Sequence, residues 1–418
     1  MNVNIKKILL NKSGIFPKFF ITLLFLSIVP LLIIGIITSY SLKTVQKTIT
    51  DDSAQLINKN IEKNLLIQAS DIAGELETFL RLNESNLFEL AQTETTNEKY
   101  LNFVNNKKYE VWEQTSKNDS VGKRFFIPLY KEVSFVDVNG YEKVKIKDSK
   151  IVDKKLLKNV NNPGNASYLN NKYFTEGIKL NANEIYVSHL NGFFISIEEI
   201  EKSDQLKMYD GVIWFSTPLF RDNEKVGLIS IALDHRHLMQ FTHHFQPNSE
   251  KEILVSNYNS GDYAFLFDDE GWIITHPKLW DIRGIDNDGK LIPAYTSNTT
   301  MEMKIKGFIP FNLDSAGFIH PNYPEVAKNI RKQITGKVVT TNVGGIDKLM
   351  VYTPVLYNKG VYTKHGIFGG ITLGTEIIKF HSASDEIKNA KIEKIYNSSR
   401  NDRVLSLKTI TMHSPAEL

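Results

Sequence analysis

The run Phe19–Tyr40, FFITLLFLSIVPLLIIGIITSY, carries no charged residue and constrains this chain more than any other stretch. A helix rising ~1.5 Å per residue needs roughly twenty apolar residues to cross the ~30 Å hydrocarbon core of a bilayer. The run has that length, and membrane helices tolerate a proline such as Pro30 at mid-span, with a local bend. A cleaved signal peptide is the alternative. Its apolar region is ordinarily ~7–15 residues and ends in a small-residue cleavage site. The run here is longer and no A-x-A site follows, so an uncleaved anchor is expected over residues 19–41. Lys6, Lys7, Lys12 and Lys18 precede it, against Lys43 and Lys47 after it, with Asp51 and Asp52 next. An excess of lysine marks the cytoplasmic side. Residues 1–18 are therefore expected inside the cell and everything after residue 41 outside it.

Length then predicts two folded units beyond the anchor, since 418 residues exceed one ordinary domain. At 42% hydrophobic residues the body has enough apolar material to bury real cores, so disorder is not expected. The net charge of +3 comes from interspersed signs, so no basic face points to nucleic acid. There is no cysteine, which excludes disulfides, thiolate metal sites and cysteine nucleophiles.

Residues 42–92 read as one long stalk helix. Ile49, Ile57, Ile61, Leu65, Ala69, Ile72, Leu76, Phe79, Leu87 and Leu90 keep one face apolar, and no proline interrupts between Pro30 and Pro128. The anchor is therefore expected to continue into a rod of up to ~75 Å. Its stripe must cover either a partner helix in a homodimer or the chain's own domains, and the spacing is not a strict heptad. Residues 93–130 are polar and read as short helices and loops. Val133–Ile146 is a hairpin around Asn139-Gly140, the strongest short-range hairpin signal. A loop-rich stretch with Pro163-Gly164 and a short helix at YFTEGIKL follow. Strands are then predicted at Ile185–Leu190, Gly211–Phe220 and Lys225–His235, for a five-stranded antiparallel meander.

The order then recurs. Tyr263–Pro277 is a hairpin around Asp268-Asp269-Glu270-Gly271, followed by a proline-bearing connection with a helix at Tyr323–Gln333. GKVVTTNV, DKLMVYTPVLY and GIFGGITLGTEI supply three more strands. FVDVNGY against LFDDEGW, and STPLF against YTPVL, make the internal repeat credible. The resulting division is a distal module at 93–250, a proximal module at 251–380 and a polar tail at 381–418. With about eighteen residues inside and no second apolar span, the chain is expected to be either a truncated receptor or a binding subunit that signals through a partner protein.

An anchor, a long helix and two PAS-like antiparallel modules in tandem form an α+β chain that resembles the double Cache sensor domains of bacterial chemoreceptors and sensor histidine kinases, across roughly residues 45–380. The most recognisable piece is DDEGWIITHPKLWDIRG (Asp268–Gly284), similar to the D-x-x-G-x-I-x-x-H-P hairpin of Cache modules. The resemblance implies chemotaxis-type signal transduction by small-molecule sensing outside the cell, in the distal module, with no enzymatic activity and no cofactor. In the amino-acid-binding branch an Arg-x-Trp-Tyr run, a later Tyr and a final Asp hold the ligand. Here the matching region is Asn171-Lys172-Tyr173-Phe174, which lacks the arginine and tryptophan, while Tyr186 and Asp234 match the tyrosine and aspartate. That half-kept motif leaves room for an amine, an amino-acid-like molecule or a small carboxylate.

A pocket between sheet and connections would be lined by aromatics and a few polar groups. Tyr173, Phe174, Tyr186, Ser188, Trp214, Ser216 and Asp234 have that chemistry, with Tyr186 and Ser188 on one strand face and Trp214 and Ser216 sharing another. Each aromatic taken alone is better explained as core. His235, His237, His243 and His244 cluster without an H-E-x-x-H pattern, so no metal is expected. His276 reads as a structural residue closing the second hairpin. Asp281, Asp286 and Asp288 lack the calcium-loop pattern and read as loop acidity. No nucleophile elbow, Walker loop or dinucleotide fingerprint occurs. A hydrolase with an unfamiliar site, or a structural surface module whose pocket its own side chains fill, are the competing readings.

Overall fold

Helix α1 (Ile15–Ala91) runs unbroken through the apolar stretch into the stalk. This computed structural model describes residues 14–246 and 252–378. The tail at 381–418, residues 1–13 and the boundary between residues 250 and 251 fall outside the described residues. Phe19–Val45 is the one helical segment among the described residues long and apolar enough to cross a membrane, and none of its most apolar window is buried.

Residues Ile61–Phe380 pack as one compact unit that includes the second half of α1. There Leu65, Ala69, Ala73, Leu76, Leu80, Leu87 and Leu90 are buried, in steps of three, four and seven that place them on one face. That face belongs to the main core of the chain itself, so from Leu65 onward the stripe is covered by its own modules. Asn86 anchors it by donating to the Tyr130 hydroxyl at 2.8 Å.

After α2 (Asn97–Asn106), capped by Thr96, comes a hairpin the polar sequence conceals: β1 (Lys108–Glu113) against β2 (Lys123–Pro128). Of its residues only Val111 is buried, so no alternation marks it as strand. The first large sheet comprises β3 (Tyr130–Asp137), β4 (Glu142–Lys147), the short β5 (Lys150–Ile151), β6 (Tyr186–Val187), β7 (Asn191–Gly192), β8 (Gly211–Arg221) and β9 (Glu224–Asp234). Helices α3 (Tyr173–Gly177) and α4 (Ile197–Lys202) lie in its connections. Then α5 (His235–Met239) leads to the second sheet: β10 (Ala264–Asp268), β11 (Ile273–Thr275), and, after α6 (Met301–Lys306) and α7 (Asn322–Arg331), β12 (Gly336–Thr341), β13 (Asp347–Leu356) and β14 (Ile367–Glu376).

The strand orders are β5-β4-β3-β9-β8-β6, with β7 also on β8, and β11-β10-β14-β13-β12. All pairings within these sheets are antiparallel. The expected meander is therefore corrected. In both sheets the last strand returns to pair with the first, which places the opening hairpin at one edge and leaves the long connection to cross one face. The shared order makes the repeat structural, and its turns are the same device. Asp137 accepts from the backbone of Asn139 and Tyr141, and Asp268 from that of Glu270 and Trp272, all within 3.0 Å. Gly140 and Gly271 close these turns at φ 88° and 84°, a region costly for residues with a Cβ. Asp286 caps a third such turn, so its acidity is structural. The expected strand Ile185–Leu190 is cut short at Val187. Ser188 N still donates to the Trp214 carbonyl at 3.0 Å, residues 189–190 leave the ladder and β7 rejoins it, a detour that turns His189 toward the proximal module.

Candidate functional site

The sequence-predicted residues separate into three places. Tyr173, Phe174 and Trp214 lie in a satellite core of the distal module with Tyr168, Val136 and Ala232. Tyr173 stacks on Trp214 with ring centroids 4.1 Å apart and planes 10° from parallel, and both side chains are fully buried. Ser216 donates to the Tyr173 carbonyl at 3.1 Å, fixing α3 on the sheet. The Tyr173 hydroxyl and the Trp214 indole nitrogen are buried without a hydrogen-bond partner. Burying such polar groups costs free energy that the area buried by the rings offsets.

Asp234 stands apart at the end of β9. Its carboxylate accepts from the Arg236 backbone at 3.0 Å, capping α5, and pairs with the Arg236 guanidinium at 2.7 Å. Burial alone would raise its pKa; the Arg236 hydrogen bonds outweigh burial and hold it below the usual carboxylate range. The neighbouring histidines are helical rather than on a strand. His235 and His237 sit in α5, each with Nε2 on a backbone carbonyl, of Ile274 and Pro128. Burial pushes His235 down to about 4, so it is neutral at ordinary pH.

Tyr186 and Ser188 line an open cleft of about 400 Å³ between the two modules. Lys172 and Asn171 come from the distal side, Glu270 and Arg283 from the proximal hairpin region. A second hollow, on the far side of Tyr186 and Val361, shares Lys172 with the first and adds Glu176 and Lys359. The floor is tightly tied. Ser188 Oγ accepts from Trp214 N at 3.0 Å, and the Ser188 carbonyl accepts from the Tyr362 hydroxyl at 3.2 Å. Gly360 approaches β6 so closely that a Cβ there would collide with the Val187 backbone.

Charge is concentrated at the cleft's proximal wall. Asp269 accepts from His189 Nε2 at 2.8 Å across the module boundary and from His365 Nδ1 at 2.9 Å. Burial would raise the Asp269 carboxyl, and these two rings hold it lowered. Burial would depress His189, and the bond to Asp269 holds it raised. Arg283 Nη1 bridges Asp268 at 3.1 Å and Glu270 at 3.5 Å. Lys172 is exposed; its carbonyl accepts from Glu176 N at 3.0 Å, while its ammonium has no hydrogen-bond or ion-pair partner among the described residues. One paired guanidinium, one exposed ammonium and one half-exposed carboxylate suit a small molecule carrying both charges.

Sequence reasoning did not single out His189, Asp269, Glu270, Arg283, Tyr362 and Lys172, which join the candidate site by their place at the cleft. The hairpin motif Asp268–Gly284 contains three of them, and that motif was the available signal.

No family model and no curated protein matches the chain. Solved structures do align with it. A chain described as the extracellular domain of a histidine kinase aligns at 12% identity and TM-score 0.46, over 79% of this chain and 96% of its own. The ligand-binding domain of a Pseudomonas fluorescens chemoreceptor, solved with L-isoleucine, aligns at 13% and TM-score 0.41, over 79% and 98%. That of a Pseudomonas aeruginosa amino-acid chemoreceptor, solved with L-Arg, aligns at 14% and 0.41, over 77% and 97%.

Proposed function

We propose that this chain is the extracytoplasmic small-molecule-sensing part of a membrane-anchored receptor, and that its ligand sits in the cleft above Tyr186 and Ser188. The carrying observation is the open, charged cleft at the module boundary, beside the sealed aromatic stack of the distal module. A carboxylate would meet Lys172 and the Arg283 edge, and an ammonium would meet Glu270. Tyr173, Phe174, Trp214 and Ser216 act behind the wall, through the Ser188–Trp214 hydrogen bond. For Asp234 to receive a ligand amine, Arg236 would first have to swing away.

The anchor is Phe19–Val45, with the modules outside and the N-terminus inside. Ligand binding would change how the modules are held together, and α1, packed on the same core, would feel that change.

The test is a thermal-shift screen of the full chain in detergent micelles against amino acids, amines, small carboxylates and purines. A ligand at ~100 times its Kd stabilises the folded state by about 2.7 kcal/mol. A hit abolished by Lys172→Ala and Glu270→Gln supports the cleft. A hit that survives both and is lost in Asp234→Ala moves the site into the distal module. The absence of any hit overturns the sensing reading.

A further inference from the structure

The second hollow, of about 710 Å³, adjoins the cleft, and a ligand confined to the cleft leaves it unused. Lys172, Tyr186 and Val361 line both spaces, so the two meet at a saddle made by these three residues. A pocket of ~300–1,000 Å³ takes a drug-sized molecule. The two spaces together exceed what one free amino acid fills, and an occupant of both has to be elongated.

Charge is unevenly distributed along this groove. In the cleft, Glu270 Oε2 takes the Arg283 contact at 3.5 Å, while Oε1 has no partner among the described residues. In the second hollow both carboxylates are engaged. Glu176 pairs with Lys179 at 3.0 Å, and Glu184 accepts from the Asn181 backbone at 2.7 Å. The Lys359 ammonium, by contrast, has no hydrogen-bond or ion-pair partner among the described residues. The groove therefore favours a positive group at its Glu270 end and a negative one at its Lys359 end.

Between the ends lie groups that pair with amides. The edge strand here is β6. Ser188 N donates to the Trp214 carbonyl, so strand alternation turns the main-chain groups of Val187 and Ile185 away from β8. Gly360 covers Val187. Ile185 is buried and lines the second hollow, and neither its N–H nor its C=O makes a hydrogen bond among the described residues. Buried main-chain groups are nearly always paired. The side-chain amides of Asn183 and Asn358, on the same hollow, likewise lack partners among the described residues. An unpaired sheet edge of this kind accepts an extended chain, N–H to C=O and C=O to N–H.

We propose that the cleft and the second hollow form one groove for a short peptide, bound in extended form along the edge at Ile185. The proposal rests on the cleft reading above and lengthens its ligand. The peptide ammonium would meet Glu270, the chain would cross Tyr186 and Val361 beside Lys172, and the terminal carboxylate would meet Lys359 rather than Arg283.

Thermal midpoints of the full chain in detergent micelles are measured against L-alanine, dialanine and the tripeptides Ala-Xaa-Ala, with Xaa alanine, leucine, lysine or glutamate. At least one tripeptide should bind at least about tenfold more tightly than alanine, because lengthening adds main-chain hydrogen bonds and the Lys359 contact. Lys359→Ala should weaken that tripeptide by about tenfold, and amidating its C-terminus should weaken it as much on the wild type but no further on Lys359→Ala. Methylating its peptide nitrogens, which leaves both charged ends in place, should also cost about tenfold. Lys332→Ala removes an exposed lysine outside both spaces and should respond as the wild type does. No gain of any tripeptide over alanine, or a tripeptide response that survives Lys359→Ala or nitrogen methylation, overturns the proposal. A smaller ligand that binds and is lost in Lys172→Ala and Glu270→Gln then leaves the cleft reading standing. No response to any of these ligands overturns both.

Discussion

Asp269 is the most informative residue to perturb, because its one carboxylate is bonded to both His189 of the distal module and His365 of the proximal one. Hydrogen bonds to charged groups contribute ~1.5–3 kcal/mol each. The His189 and His365 side chains retain 16% and 23% exposure and regain some water when released, so the lower end applies. Asp269→Ala is then expected to cost about 3 kcal/mol. Asp269→Asn keeps the shape and one acceptor and should cost about 1–2 kcal/mol. The pH dependence separates the electrostatic account from simple packing. His189 is raised in the folded state, so its contribution is full below its unfolded value near ~6.5 and is lost as pH climbs through the folded value. Asp269 is lowered, so its contribution is present above ~4 and disappears only as pH falls through its folded value. In the window that opens above ~6.5 only the histidine side of this pair titrates, so the stability advantage of the wild type over Asp269→Asn should shrink as pH rises through the folded value of His189. Urea unfolding followed by tryptophan fluorescence at several pH values measures both. Parallel wild-type and Asp269→Asn curves across this window would refute the reasoning, whatever the size of the offset.

Two further perturbations probe the scaffold. Leu80→Ala, on the buried face of α1, should lower stability by about 2–5 kcal/mol through the cavity it leaves, whereas Leu56→Ala on an exposed position of the same helix should stay within ~0.5 kcal/mol in the same urea assay. Gly360→Ala combines a φ of 59° with a clash against the Val187 backbone, so it should cost more than the ~1 kcal/mol of the dihedral alone. Faster hydrogen exchange at residues 186–188 would report that β6 has been pushed off; unchanged exchange there would contradict the close approach.

Much of the scaffold was legible because its signals are local. The turn aspartates and glycines at 137–140 and 268–271 announce two hairpins, since backbone amides two and four residues on can be reached only from that position. The polar hairpin β1–β2 was not legible, because a strand pair with one buried residue has no alternation to read. The aromatic candidates Tyr173 and Trp214 were legible as a pair of the right chemistry. Their stacking against each other depends on α3 lying over β8, which no local pattern encodes.

By itself the sequence determined an uncharged membrane-length helix continuing into an amphipathic one, and two copies of a hairpin–connection–three-strand order. Hydrophobicity, periodicity and turn chemistry act over a few residues and need no distant partner. Only the tertiary structure decided the strand order within each sheet, the covering of the α1 stripe by the chain's own core, and the cleft itself. Lys172, His189, Glu270 and Arg283 converge because the β13–β14 connection, through Gly360 and Tyr362, packs against β6 at the edge of the first sheet. His189 and Asp269, brought together across 80 residues of chain, acquire their perturbed ionisation from burial and proximity, and neither exists until the chain is folded.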